Sequence, residues 1–209
     1  MSVKPILFNT EMVRAILDGR KACTRRILKG AIPFDEKAEY WNVLKKGEWS
    51  GPICVEYFMK QGSPYKPGDI LYVRETWMDY AGLTMYKADC DIYRLDSLNF
   101  AGFGWKPSIH MPKKAARIWL RVTNVKVERL QEITEDGAEA EGAIDSRGFI
   151  PSPDNEYNRM HTAREHFVAI WNSTIKGSDL DRYGWDANPW VWVIEFERCE
   201  KPGKENING

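Results

Sequence analysis

The sequence predicts an α+β fold in which strands are mixed with a few short helices. Residues 117–130 alternate apolar and polar side chains, and residues 188–200 form a second strongly β-prone run. Residues 162–174 have instead the periodicity of an amphipathic helix. A period of two residues is typical of a strand with one wet face, and a period of 3.6 is typical of a helix. This mixture favours an α+β fold, or a small barrel carrying helices, over a doubly wound sheet.

The N-terminal segment predicts a strand followed by a helix. Residues 3–8 (VKPILF) are typical of a short strand, and NTEMVRAILDG predicts a helix capped by Asn9 or Thr10. Gly19 is a natural stop for this helix. Its apolar face consists of Met12, Val13, Ile16 and Leu17.

Further elements follow along the chain. After the turn Pro67-Gly68-Asp69, residues 70–77 form a β-rich run. The segment ITEDGAEAEGA predicts a short helix capped by Thr134, despite its internal Gly137. Residues 27–66 have an irregular pattern that favours a long surface excursion, and residues 145–160 have the composition of a loop.

Composition and charge limit the function classes. The 209 residues include thirty basic and thirty acidic side chains, so nucleic-acid binding requires a local basic patch. No apolar run approaches the ~20 residues of a transmembrane helix, and Glu11 beside the first apolar run argues against a secretory signal. The four cysteines form no CxxC or Cys/His cluster, which predicts free thiols, no structural zinc and no cofactor. We therefore expect a cytoplasmic protein that does not bind membranes.

Residues 4–26 (KPILFNTEMVRAILDGRKACTRR) resemble the opening of ASCH-domain proteins, especially the version common in phages and prophages. The segments KPGDILYVRETW, WKPSIHMP, RIWLRVTNVKVERLQEIT, AEAEG and NPWVWVIEF follow in the order that this family shows. The resemblance implies one PUA-like β-barrel domain over residues 1–209, with insertions near 30–66, 79–104 and 143–160. It also implies a cleft beside the barrel for RNA, DNA or a modified base.

The same resemblance implies catalytic residues. Small bacterial ASCH proteins hydrolyse N4-acetylcytidine with a Lys and a Thr from a GRKTxT segment and a Glu from a TExxAExE segment. GRKACT and TEDGAEAE correspond to these segments here, which gives Lys21, Thr24 and Glu141. Ala22 stands where Thr is usual, and Lys114 stands where phage relatives often have Trp. Both departures leave the identity of the substrate open.

Metal-independent amide hydrolysis suits these residue types. A threonine hydroxyl becomes a nucleophile when a neighbour takes its proton, and a lysine does this when burial or a nearby cation lowers its pKa. One turn of helix would place Lys21 and Thr24 on the same side. Glu141 would orient the lysine or protonate the departing exocyclic nitrogen. The alternative is that these residues have no catalytic role. Lys21 would then be a solvated charge just beyond a helix end, and Glu141 would be a solvated charge on an acidic helix.

Seven further residues are candidate ligand contacts. The arginines would bind phosphate or an oxyanion, and the tryptophans would stack a base unless they pack in the core. The alternative for the glutamate is a buried pair with Arg74 or another arginine. The histidine lies between two prolines. It either contacts a ligand or has a purely structural role. The set comprises Arg20, Arg25, Arg26, Glu75, Trp77, Trp105 and His110.

The expected partner is a nucleoside or single-stranded nucleic acid, RNA rather than DNA. Two alternatives stay open: a non-catalytic RNA- or DNA-binding module, and a phage factor that acts on a host protein in the host cytoplasm. The three classes differ in whether Lys21, Thr24 and Glu141 converge on one substrate. The sequence does not determine the oligomeric state.

Overall fold

The computed structural model describes residues 1–35, 37, 39–80, 82–90, 104–147 and 161–203, and it has the predicted α+β character. The strands are β1 Val3–Leu7, β2 Cys23–Ile27, β3 Ala31–Pro33, β4 Tyr40–Lys45, β5 Glu48–Trp49, β6 Ile53–Cys54, β7 Ile70–Arg74, β8 Trp77–Tyr80, β9 Leu83–Tyr86, β10 Trp119–Arg129 and β11 Trp190–Cys199. The helices are α1 Thr10–Leu17, α2 Val55–Gly62, α3 Glu135–Ala140, α4 Ala163–Thr174 and α5 Leu180–Tyr183.

Five strands form one mixed sheet with the order β1-β7-β10-β11-β2. Strand β1 is parallel to β7, whereas β10 is antiparallel to β7 and β2 is antiparallel to β11. Strand β11 therefore has a neighbour on both sides, which agrees with its apolar sequence. The closure of this sheet into a barrel stays a prediction.

The chain divides into two compact units. The first unit contains Met1–Ala22, Pro67–Thr123 and Phe196–Gly209, and the second contains Cys23–Lys66 and Asn124–Glu195. The single domain over residues 1–209 stays a prediction. The expected insertions near 79–104 and 143–160 lie partly outside the described residues, which omit 91–103 and 148–160.

The first unit contains helix α1, which is confirmed. The side-chain oxygen of Asn9 accepts a hydrogen bond from the Met12 N–H at 2.8 Å and so caps the helix. Val13 and Ile16 are buried, and Gly19 adopts φ +76° just beyond the end of the helix. One buried hydrophobic cluster of this unit contains Ile70, Trp77, Met111, Ala116 and Trp119.

The β-rich run over residues 70–77 contains one strand and the beginning of the next. Strand β7 ends at Arg74, and β8 begins at Trp77 and pairs with β9. The backbone of Trp77 exchanges hydrogen bonds with Lys106 at 3.2 and 2.8 Å. The run is therefore divided between two strands, because the chain changes partner after β7.

The second unit builds its core between the sheet and helices α3 and α4. Helix α3 begins where predicted, since the Thr134 hydroxyl accepts a hydrogen bond from the Gly137 N–H at 3.0 Å. Helix α4 begins with a reciprocal capping box between Thr162 and Glu165. The buried hydrophobic cluster at this place contains Leu130, Ile133, Ala138, Ala143, Ala163, Phe167, Trp171, Val191 and Val193.

Residues 27–66 were expected to form a long surface excursion, but they contain four short strands and a helix. Strands β3, β4, β5 and β6 form a small antiparallel sheet, followed by helix α2. Trp41 is almost fully buried, stacks on Phe58 with a centroid distance of 5.1 Å, and meets Trp190 edge-on at 4.9 Å. The strands contain only two to six residues each, too few to show a clear period.

Candidate functional site

Strand β2 carries Thr24, Arg25 and Arg26 in the second unit. Its pairing with β11 places Thr24 opposite Ile194 and Arg25 opposite Val193. Successive side chains of a strand point to opposite faces, so Arg25 lies on the face covered by the helices, and Thr24 and Arg26 lie on the other.

Arg25 is the centre of a buried charged cluster. Its Nε and Nη2 donate hydrogen bonds to Glu128 Oε1 at 2.8 and 2.6 Å, and Nη1 donates to Glu141 Oε1 at 3.3 Å. The guanidinium carbon lies 5.9 Å from the centroid of the Phe167 ring. Two carboxylates from β10 and the end of α3 are thus tied to β2 by one side chain.

The opposite charges of this cluster stabilise one another, and this shifts the pKa values of its members. Burial opposes the charge of Arg25, but Glu141 and Glu128 outweigh it, so the pKa of Arg25 lies above the ordinary arginine value. Burial lowers the pKa of Arg26, although attraction to Glu141 and Tyr65 opposes that change. Burial raises the pKa of Tyr65, and the positive charge of Arg26 opposes this rise.

Helix α3 approaches β2 closely at Gly137. A Cβ atom at this position would lie 3.4 Å from Arg25 Nη2, 3.2 Å from Thr134 Oγ1 and 3.3 Å from an Ile133 side-chain carbon. The Cys23 thiol lies 3.9 Å from the Gly137 carbonyl oxygen. The glycine that weakens the helix prediction therefore leaves room for the arginine.

All three predicted catalytic side chains are buried, two of them in the second unit and one in the first. Thr24 and Glu141, which is the C-cap of α3, are 1% and 6% exposed in the second unit. Lys21 is 4% exposed in the first unit, and its Nζ lies 5.5 Å from the centroid of the Phe8 ring. The assumption of a helical turn through Lys21 and Thr24 was wrong, because α1 ends at Leu17 and Thr24 lies on a strand.

The predicted arginine patch has mixed surroundings. Arg20 is exposed, and its Nη2 lies 2.9 Å from Asp18 Oδ2. Arg26 is partly buried, whereas Arg25 is enclosed by its carboxylate partners. Phosphate binding by these arginines stays a prediction, and the burial of Arg25 favours the positioning of Glu141 as its role.

Glu75 belongs to a second cluster, in the first unit. Arg117 donates hydrogen bonds from Nε and Nη2 to the two carboxylate oxygens of Glu75, at 2.9 and 3.0 Å, and from Nη1 to Asp89 at 2.6 Å. Its guanidinium carbon also lies 3.9 Å from the centroid of the Tyr86 ring. Glu75 therefore forms a buried ion pair with an arginine, as one of the two interpretations from the sequence expected. The arginine is Arg117.

The remaining candidates lie in the first unit. Trp77 belongs to its core, and Lys106 Nζ lies 4.9 Å above the centroid of the Trp77 ring. Among the described residues, no acceptor pairs with the buried indole N–H of either Trp77 or Trp105. His110 is exposed at the end of a single 3₁₀ turn. Ligand contact by Trp77, Trp105 and His110 stays a prediction.

Sequence reasoning missed Glu128 and Arg117. Glu128 is buried on β10, but Asn124 and Lys126, which lie at even spacing between Val122 and Glu128, are exposed. The apolar alternation is therefore broken before Glu128, and no local signal marked it as a buried carboxylate with a cationic partner. Arg117 immediately precedes the buried run Ile118–Leu120 and offered no such signal.

The described residues contain no group of three His, Cys, Asp or Glu side chains that could hold a metal ion. None of the helices in the described part of the chain is long and apolar enough to cross a membrane.

Comparisons with known proteins give limited information. No family model matches the sequence, and no curated protein matches it. The chain is similar to the crystal structure of an ASCH domain from Lactobacillus crispatus JV V101, with 13% identity, a TM-score of 0.41, and coverage of 94% of this chain and 79% of that chain. It is also similar to the hypothetical protein PH0355, with 14% identity, a TM-score of 0.37, and coverage of 95% and 100%. Similarities this low assign no family to the chain, and its resemblance to ASCH domains comes from the sequence motifs.

Proposed function

We propose that the protein is an ASCH-domain protein that binds a nucleobase or nucleotide and hydrolyses an N4-acyl amide of cytidine. The observation that supports this most is the burial of Lys21, Thr24 and Glu141, at 4%, 1% and 6% exposure. Lysine and glutamate are almost never fully buried unless they are paired. The motif resemblance selects the same three residues from the sequence alone.

In the proposed reaction, the Thr24 hydroxyl attacks the acyl carbon and Lys21 accepts the hydroxyl proton. Collapse of the tetrahedral intermediate breaks the bond between the acyl carbon and N4, and a proton delivered by Lys21 or Glu141 leaves with the amine. Water then hydrolyses the acyl-threonine and restores the hydroxyl. No metal takes part in these steps.

The surroundings of Glu141 support its proposed role. Arg25 Nη1 holds Oε1 of Glu141 at 3.3 Å, and Glu128 orients the same guanidinium from the other side. Positioning of this kind prevents a catalytic carboxyl from sampling unproductive rotamers. Arg26 shares the face of Thr24 on the edge strand β2 and also attracts Glu141, which relates this carboxylate to the side of Thr24. Its positive charge would stabilise an oxyanion.

The decisive experiment is incubation of the full chain with a panel of N4-acylated cytidines, followed by mass spectrometry. We expect loss of the acyl group with wild type and only background turnover with Thr24→Ala, which leaves the ligand bound. Thr24→Ser keeps a hydroxyl and should retain part of the rate. Thr123→Ala, which removes an exposed threonine, is the matched control and should be fully active.

Two results would contradict the proposal. One is wild-type protein that leaves every acylated nucleoside intact; salt-sensitive binding of single-stranded RNA would then favour the non-catalytic module, and Arg20→Ala would reduce the salt slope by about 0.7. The other is Thr24→Ala with wild-type activity. A Cys23→Ala variant shows in that case whether the neighbouring thiol is the nucleophile.

A further inference from the structure

Residues 105–123 of the first unit carry a local excess of positive charge. They contain five basic side chains and no acidic one, although the whole chain has thirty of each. A chain without net charge needs such an excess to bind nucleic acid. Arg117 is compensated, since it pairs with Glu75 and Asp89. The other four basic side chains are exposed, and they are Lys106, Lys113, Lys114 and Arg121.

The pairing of β10 with β7 shows where Arg121 and Lys113 lie. Trp119 is opposite Tyr72 in this register, and Arg121, two residues further along β10, shares the face of Trp119. Lys113 belongs to a single 3₁₀ turn that precedes the strand. Its Nζ lies 5.8 Å from the centroid of the Tyr72 ring and 5.9 Å from that of the Trp119 ring. Both cations therefore lie on one face of the sheet.

Two further lysines reach the same place from other segments of the unit. Lys201 follows β11, the strand beside β10, and its Nζ lies 5.8 Å from the Trp119 centroid. Lys106 Nζ lies 4.9 Å from the centroid of Trp77, which belongs to the same hydrophobic cluster as Trp119. Because both tryptophans are buried, the rings support the lysine stems while the ammonium groups stay in solvent. The Trp119 surface is defined by Lys106, Lys113, Lys114, Arg121 and Lys201.

The lysines of this surface have no carboxylate partners in the described part of the chain. None of the four forms an ion pair there, whereas Lys4 of the same unit lies 2.8 Å from Asp69. Like charges that lie close together repel, and a bound anion relieves this repulsion. The surface therefore has the charge to attract an anion and no ion pair to break first.

Two acidic side chains, Glu197 and Glu200, lie at the end of β11 and just beyond it, and both are exposed. Burial raises the pKa of Cys199, Arg121 opposes this rise and Glu197 adds to it, so both charged groups lie near this thiol. Glu197 thus offsets part of the charge of Arg121. The five cations outnumber these two carboxylates and keep the surface positive.

The arrangement suits a long anion better than a small one. A single phosphate is typically enclosed by backbone N–H groups or by an arginine fork, whereas these lysines are flexible point charges from separate segments. Contacts of this kind neutralise successive phosphates of a polynucleotide. Lipid headgroups also attract lysines, but lysines that bind a membrane surface are typically carried by an amphipathic helix. Residues 105–118 contain two single 3₁₀ turns instead.

We propose that the Trp119 surface binds the phosphates of a single-stranded nucleic acid, so that the acylated cytidine is processed within a strand and not as a free nucleoside. The choice of substrate rests on the proposed hydrolase activity. The binding of the strand rests only on the charges of the first unit, so the two are tested separately.

Fluorescence anisotropy of a short labelled single strand, as RNA and as DNA of the same sequence, measures binding at several salt concentrations. We expect the affinity of wild type to fall as salt rises. Combined Lys113→Ala and Lys114→Ala should reduce the magnitude of the log–log slope by about 1.4, or about 0.7 for each lost phosphate contact, and weaken binding at low salt by about tenfold or more. Lys176→Ala, which removes an exposed lysine of the second unit, is the matched control and should bind like wild type.

Cys199 reports where the strand binds. Cys23 and Cys90 are buried, and a Cys54→Ser background removes the exposed thiol. Saturating strand should slow the reaction of Cys199 with a thiol reagent, because the strand covers the neighbouring Arg121. A bound strand that leaves this reaction unchanged lies elsewhere and overturns the proposal.

Three further results overturn the phosphate-binding surface. The first is the absence of binding to RNA and DNA at low salt. The second is a loss of slope in Lys176→Ala equal to that of the double lysine variant. The third is lysine-dependent binding to vesicles that contain phosphatidylserine that is stronger than binding to either strand, which assigns the surface to lipid.

Turnover of N4-acetylcytidine, as the free nucleoside and within the same strand, tests the choice of substrate. The double lysine variant should raise KM for the strand by about tenfold and leave turnover of the nucleoside unchanged. Equal effects on the two substrates, or turnover of the nucleoside alone, overturn this part. If wild type hydrolyses neither, the hydrolase proposal fails, and the anisotropy and Cys199 measurements still decide whether the surface binds a strand.

Discussion

Two arginines, one in each unit, bridge a pair of carboxylates, and they differ in how far solvent reaches them. The Arg25 side chain is 4% exposed, and its partners Glu128 and Glu141 are almost equally enclosed. Each charge there depends on the others, because water does not compensate for a missing partner.

The Arg117 cluster is open on one side. Arg117 is 26% exposed and Asp89 is 47% exposed, although Glu75 is fully buried. Burial opposes the charge of Arg117, but Glu75 and Asp89 outweigh it and raise the pKa of Arg117. The same chemical motif is therefore a closed, preorganised unit around Arg25 and a partly solvated pair around Arg117.

Removal of Arg25 should have the largest effect. Arg25→Met keeps the apolar stem but removes the guanidinium that both buried carboxylates share, so we expect the free energy of unfolding to fall by about 3–5 kcal/mol. Urea denaturation measures this change. Arg20→Met is the matched control, because Arg20 is exposed, and should stay within about 0.5 kcal/mol of wild type. A small effect of Arg25→Met would mean that the carboxylates are solvated or protonated.

Removal of Arg117 should cost less. Arg117→Met leaves Glu75 without its two hydrogen bonds, but solvent already reaches the arginine and Asp89, so we expect a loss of about 1.5–3 kcal/mol. Adding Glu75→Gln should recover part of this loss, because no charge then remains buried. A loss equal to that of Arg25→Met would remove the distinction between the clusters.

The pH dependence of the Glu75 cluster is a smaller effect with a definite sign. Burial raises the pKa of Glu75, Arg117 opposes this, and Asp89 adds to it. The folded state then binds this proton more tightly than the unfolded state, so its contribution is complete below the unfolded pKa and is lost as pH rises through the folded pKa. The unfolding free energy of wild type relative to Glu75→Gln should therefore fall between about pH 4 and the raised pKa. A difference that rises with pH would show that Arg117 dominates instead.

The smallest effect is expected at the rim of the Arg25 cluster. Lys126 Nζ lies 3.1 Å from Glu128 Oε2, but its side chain is half exposed. Exposed ion pairs contribute about 0–1 kcal/mol, so Lys126→Ala should change the unfolding free energy by less than about 1 kcal/mol. Thermal or urea unfolding checks this, and a larger loss would mean that Arg25 alone does not balance the carboxylates.

The sequence predicted those elements whose signals are local. Helices α1 and α3 begin at the predicted caps Asn9 and Thr134, because a capping side chain bonds to the backbone only two or three residues away. Strand β11 was predicted from its apolar run for a similar reason. Thr24 and Glu141 were selected by motif, and their burial agrees with a role beyond surface charge.

Only the tertiary structure decided which charges pair and which aromatic residues are buried. Glu128 lies 103 residues after Arg25, and Arg117 lies 42 residues after Glu75, so no local pattern connects them. Trp41 is buried because Trp190, almost 150 residues later, packs against it. The sequence by itself determined the elements that carry a cap or a long period, and the candidate residues, since caps, periods and motifs act over a few residues. The partners of those residues were decided by the packing of distant segments, where the low polarity of the interior makes each charge depend on what the fold places beside it.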